Sequence, residues 1–465
     1  MTRLIAVALT GLALAGCASF SSDGGFGAVE QLTQERVGRA PTYQRTTEQG
    51  DAARGRVGEL LKQPLNAEAA VEIALLSNRE LQANFAELGI AESELVRAGR
   101  LRNPSFSFGR LAGDGVVEID RAVIFDVLSL LTMPMAKQVE QQRFEQVQFR
   151  AAADAVSLAA EARKAFFDAV AAQQLVSYYA QVKQAADASN ELARRMVAAG
   201  NFSKLAQMRE QAFYSDATAQ LARAQHQAVA ARERLTRVLA LSGDDLALKL
   251  PERLPDLPAA PTEPQDAEQT AMDKRLDLLM AKRTAEATAQ SLGLTRATRF
   301  VNVLHVGYQN QSTTGESRRD GYEIALELPI FDFGTARVAR AEALYMQAVN
   351  RTAQVALNAR SEVRESYSAY RTAYDLAKHY RDEVVPLRKR ISEENLLRYN
   401  GMLSSVFELL ADSRDQVASV TAAVETLRDY WVAETTLQSA LTGSPSGAPP
   451  AMRPAATSAV PAGAH

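Results

Sequence analysis

Two hydrophobic patterns divide this chain. Over residues 322–328 apolar and polar positions alternate, so Tyr322, Ile324, Leu326 and Leu328 share one side of an extended strand. Glu323, Ala325 and Glu327 share the other. Residues 300–309 place Phe300, Asn302, Leu304, Val306 and Tyr308 on one face, and the polar run 310–321, with Arg318 and Arg319, reads as the loop of a hairpin. An earlier hairpin matches it. Ser105-Phe106-Ser107-Phe108 alternates and Gly113-Asp114-Gly115 turns. Val117, Ile119, Val123 and Phe125 then oppose Glu118, Asp120 and Ala122, with Arg121 intruding on the apolar side.

The second pattern is helical and very long. Residues 135–199 contain neither Gly nor Pro and would reach about 95 Å as one helix. Residues 335–400 mirror them, interrupted only by Pro386, which predicts a bend. Return runs at 203–242 and 403–442 predict helices of roughly 60 Å. Helices of this length are stabilised sideways, as coiled coils, and alanines such as Ala151-Ala152-Ala153 and Ala171-Ala172 permit close approach.

The order of elements repeats. Each half has a medium helix (67–98 and 265–297), a strand pair, a very long helix, a turn marked by Gly200 or Gly401, and a return helix. Asn78-Arg79-Glu80-Leu81 loosely matches Lys274-Arg275-Leu276-Asp277-Leu278, and the strand pairs end in Ile124-Phe125-Asp126 and Ile330-Phe331-Asp332. The expected segments are a signal peptide at 1–16, an extended tether at 17–64, a first repeat at 65–250 with its hairpin near 103–125, and a connector at 251–264. A second repeat at 265–442, with its hairpin near 300–330, and a disordered tail at 443–465 complete the chain. Pro251, Pro255, Pro258, Pro261 and Pro264 hold the connector extended.

Alternation over about ten residues fits a membrane barrel strand, or a soluble hairpin packed on something. Four strands cannot close a membrane barrel, and open edges in lipid leave backbone groups unsatisfied. A barrel reading therefore requires copies to join, and three would supply twelve strands. The fold class expected is mainly α with a small membrane β-barrel contribution, assembled as a trimeric α/β-barrel channel.

Composition narrows the function. Fifty-two basic residues face 55 acidic ones, a net charge of −3, without the basic face that nucleic acid requires. The four histidines, His226, His305, His379 and His465, are scattered, and one cysteine excludes an internal disulfide; no metal or other cofactor is expected. No G-x-S-x-G or similar nucleophile motif points to a hydrolase, so no catalytic residue is expected. A periplasmic adaptor would need a soluble β-rich domain beside its helical hairpin, and none is seen. Arg3, the apolar run 4–15 and Leu14-Ala15-Gly16-Cys17 resemble the lipobox of bacterial lipoproteins. That resemblance implies lipidation of Cys17, and Ala18 after it favours the outer membrane.

With the hairpins, Leu328-Pro329-Ile330-Phe331-Asp332-Phe333-Gly334 and Arg398-Tyr399-Asn400-Gly401 before Ser404-Ser405, the chain resembles the TolC-type outer-membrane efflux factors over nearly all its mature length. The resemblance implies a homotrimer in outer-membrane lipid, a periplasmic helical barrel, and partners in a periplasmic adaptor and an inner-membrane transporter. It implies adaptor contacts at the helix tips, at Gly200, Ser203, Gly401 and Ser404. Glu408 and Asp412, spaced i, i+4 beyond the second tip, are the candidate periplasmic gate, although Phe407 and Leu410 stand where some relatives carry acids. The first half departs from the pattern, running Ile124-Phe125-Asp126-Val127-Leu128 without the Pro and Gly of the second.

Overall fold

The computed structural model describes residues 19–443 except 302, 402, 404 and 405. The signal peptide, Cys17, Ser404 and nearly all of the tail lie outside the described residues. Two compact units result, each drawn from both halves of the sequence: Met1–Leu32, Ala83–Ala152 and Leu276–Asn358 in one, Thr33–Gln82, Ala153–Arg275 and Ala359–His465 in the other.

The segment expected to be an extended tether is structured. It contains α1 (Phe26–Val37) and α2 (Thr47–Leu60). Asp23 accepts hydrogen bonds from the N–H groups of Gly27 (2.8 Å) and Gly25 (3.1 Å), and these bonds hold its carboxyl below the usual range. Gly25 has φ of +74°, and a Cβ there would meet the Phe144 ring at 2.3 Å, so this glycine serves a close approach. Upstream, Ser21 donates its N–H to Glu92 at 2.6 Å. Thr46 and Gln49 form a reciprocal capping box at the start of α2. Val29 and Val57 are buried.

Both expected medium helices are broken near their starts. The first comprises α3 (Ala67–Ser77) and α4 (Arg79–Ala98), interrupted at Asn78; the second is interrupted in the same way at Arg275, ahead of its own hairpin. The long helix α5 (Val127–Ala198) begins eight residues earlier than the Pro-free run and carries Pro134 inside it. Helix α6 (Lys204–Val238) returns. The second half supplies α7 (Ala267–Lys274), α8 (Leu276–Ala297), α9 (Thr335–His379), α10 (Val385–Asn400) and α11 (Val406–Thr442). Asn78 and Arg275 have the same extended conformation, with ψ of 118° and 124°. Each side chain then donates to the end of a return helix: Asn78 to the Val238 carbonyl at 3.3 Å, Arg275 to the Ala440 carbonyl at 2.9 Å. The ion pairs repeat as well, Glu68 with Arg163 at 2.8 Å and Glu268 with Arg364 at 3.1 Å. The duplication therefore extends to single hydrogen bonds.

Pro386 occupies the first turn of α10, and the five residues before that helix, Tyr380–Val384, form a π turn. Proline cannot donate to the preceding turn, and the wider i→i+5 spacing lets Val385 bond back to the Tyr380 carbonyl. On α5, Ala155, Ala159, Ala162, Phe166 and Ala169 are buried at spacings of three and four, one continuous face of the helix. The proline-rich connector is extended but closely held. Tyr374 donates to the Pro258 and Ala259 carbonyls, Trp431 to that of Pro255, and Leu254 and Leu257 are buried.

The sheet has four antiparallel strands in sequence order: β1 (Ser105–Gly113), β2 (Val116–Asp126), β3 (Leu304–Thr313) and β4 (Arg319–Leu326). Asp114 and Gly115 both have positive φ, as a two-residue hairpin turn requires.

Candidate functional site

Register sorts the sheet into two faces. On one, Val306 stands opposite Ile324 and Phe125, and Tyr308 opposite Tyr322 and Val123, with Phe106 next in line beyond Val123. These side chains face outward, Tyr322 at 83% exposure and Phe106 at 67%. The other face carries Glu118, Asp120, Gln309, Gln311 and Glu323, with Gln309 bonded to Glu323 and Gln311 to Glu118. Arg121, the misfit of the apolar face, belongs to a polar row across the strands. It donates to Asn310 at 3.0 Å, Asn310 donates to Asp320 at 2.5 Å, and the Tyr308 hydroxyl reaches the same carboxylate at 2.7 Å. Within the described chain, β1 and β4 each pair on one side only.

Two junctions carry the sheet into the long helices. At the first, β2 passes into α5 without a loop, and Asp126 caps the helix by accepting from Ser129 N–H at 2.9 Å. At the second, residues 327–334 intervene. Ile330 N–H bonds back to the Leu328 carbonyl at 2.9 Å, and Asp332 accepts from Gly334 N–H at 2.8 Å. Gly334 has φ of +73°, and a Cβ there would stand 2.7 Å from the Arg299 carbonyl oxygen.

The helix tips are less alike than their sequences suggest. Gly200 lies in the left-handed region at φ +74°, and paired bonds from Gly200 to Val197 and from Asn201 to Met196 close α5 in a Schellman motif. Ser203 caps α6, accepting from Ala206 N–H at 3.1 Å. Gly401 is not left-handed. Its φ is −82°, and the six-residue closure runs instead from Leu403 N–H to the Arg398 carbonyl. Of the candidate gate acids, Glu408 is exposed, whereas Asp412 is only 6% exposed and its Oδ2 has no hydrogen-bond partner among the described residues. Arg414 lies 4.0 Å from Asp216, and Arg388 pairs with Asp415 at 2.9 Å. The local sequence gave no sign of these last two pairs, since their partners come from different helices.

No protein-family profile matches the sequence, and no curated protein matches it either. Solved structures do match its fold. A membrane protein from Pseudomonas aeruginosa superposes with a TM-score of 0.71 at 20% identity, over 81% of this chain and 93% of that one. The outer membrane protein VceC of Vibrio cholerae gives 0.69 at 15%, over 81% and 96%. The open-state MtrE outer membrane channel of Neisseria gonorrhoeae gives 0.67 at 18%, over 81% and 89%. The chain thus has the fold of outer-membrane channel proteins, a small antiparallel sheet borne on long helices.

Proposed function

We propose that this protein is the outer-membrane channel subunit of a tripartite export pump, a passive duct from periplasm to exterior with no catalytic role. The observation that carries the reading is the sheet, apolar and exposed on one face, polar on the other, and unpaired at both edges among the described residues. Lipid would leave those edges with unsatisfied backbone groups, so copies must close them. The chain already contains the required contact. Its central seam joins one hairpin to the next, β2 to β3, and β4 of one copy meeting β1 of the next repeats that joint. Three copies of four strands give a closed barrel of twelve.

On this reading Cys17 carries the lipid anchor, the tips around Gly200, Ser203, Gly401 and Ser404 meet a periplasmic adaptor, and an inner-membrane transporter supplies cargo. Glu408 and Asp412 guard the periplasmic entrance. The test is to purify the full chain in detergent, measure its assembly, and record conductance in planar bilayers. A trimer with discrete conductance steps supports the proposal; a folded monomer with no conductance overturns it. Acyl labelling that is lost in Cys17→Ala supports the anchor, and equal labelling in both proteins removes Cys17 from it.

A further inference from the structure

The second junction exposes more apolar surface than a turn requires. Leu328 and Ile330 are 67% exposed, Phe333 54% and Phe331 96%. Leu328 and Ile330 keep the parity of Tyr322, Ile324 and Leu326 on β4, and Phe331 and Phe333 follow them in the loop. The backbone beneath them is fixed by the tight bond from Ile330 to Leu328, the Asp332–Gly334 bond, and Arg337 donating to the Arg299 carbonyl at 3.3 Å.

Charge beside the loop indicates what covers it. The Arg299 guanidinium lies 4.5 Å from the centroid of the Phe300 ring, and Phe300 is itself 53% exposed. Arg337 stands on the first turn of α9. Asp332, the acid within the loop, accepts from the Gly334 backbone. An apolar projection flanked by arginine and aromatic side chains suits the boundary where acyl chains meet phosphate headgroups.

We propose that residues 328–333 are immersed in the periplasmic leaflet of the outer membrane, with Phe331 among the acyl chains and Arg299 and Arg337 at the level of phospholipid phosphates. The inference rests on the outer-membrane reading above and adds a lipid-binding element confined to the second half of the chain. The first junction has no such loop; its exposed apolar residues are Phe125, still on β2, and Leu130 and Leu131, already within α5.

The experiment places tryptophan at the loop tip. Phe331→Trp in the full chain is reconstituted into phosphatidylethanolamine–phosphatidylglycerol vesicles containing lipid brominated high on its acyl chains. The wild-type Trp431 signal is subtracted. Quenching of about twofold or more is expected at position 331 and none for Met208→Trp on α6. If Phe331→Trp does not fold, Phe333→Trp should show the same quenching. Unquenched, red-shifted emission would put the loop in water and overturn the proposal. Unquenched, blue-shifted emission would make a second copy the occupant and overturn it equally. Conductance of the same vesicles separates the two readings, since conductance without quenching refutes only the immersed loop. Quenching without conductance refutes only the channel.

Discussion

The two halves of the chain solve the same problem differently. Each must turn a strand into a helix of many turns. The first does so without a loop, one carboxylate of Asp126 sufficing as cap. The second uses residues 327–334 and a glycine whose backbone no other residue adopts cheaply. The tips invert this preference: the first depends on a left-handed glycine, and the second keeps a glycine with an ordinary φ. Duplicated architecture thus preserves the route of the chain while the device at each corner drifts.

The sharpest way to break this comparison is Gly334→Val. A β-branched residue at φ +73° with its Cβ 2.7 Å from the Arg299 carbonyl oxygen should cost about 3 kcal/mol or more, read as a fall in the melting temperature of the assembled protein. Leu128→Val at the first junction should cost well under that, about 1 kcal/mol. Equal losses would mean that both junctions bear similar strain.

Above the junctions, Leu326→Arg places a charge on the outward face and should cost about 2–4 kcal/mol if that face meets lipid near mid-membrane. Glu327→Leu, one position on and of opposite parity, should be much milder. Unfolding titrations of both variants in lipid decide the face assignment, and equal costs would reverse it.

The tips give a smaller effect. Gly200→Ala meets no atom within 4 Å, so only its left-handed backbone is strained, at about 1–2 kcal/mol. Gly401→Ala should be neutral or stabilising by about 0.4–1 kcal/mol, through reduced freedom of the unfolded chain. Urea unfolding midpoints for the pair test the asymmetry directly. The smallest change expected is in conduction. Glu408→Ala with Asp412→Ala should reduce cation preference and weaken block by multivalent cations if both acids line the entrance. Unchanged selectivity would remove them from the gate and leave the pore intact.

Much of this fold was legible in the sequence because its signals are local. Gly- and Pro-free runs marked the long helices, period-two alternation marked the hairpins, and the repeated order of elements linked the halves. What escaped depends on partners remote in sequence. The Ser- and Gly-rich run after Cys17 reads as slack chain, yet Gly25 lies against Phe144 and Ser21 bonds Glu92. The π turn before Pro386 is a backbone response that no side-chain pattern announces. At the candidate gate, spacing put Glu408 and Asp412 together on one helix face, but only packing against other helices separates an exposed acid from a buried one. Gly401 shows the same limit: glycine permits a left-handed turn without requiring it.

The sheet's composition has a consequence for calibre. One chain contributes four strands with an internal seam between two hairpins, so the circumference of any ring built from it changes only in steps of four. Barrel width follows strand number, and substitutions within a strand cannot alter that number. On the proposed channel reading, selection acting on strand residues can tune which molecules slide past the wall, while the aperture itself stays quantised. A finer adjustment of bore would have to come from outside the sheet.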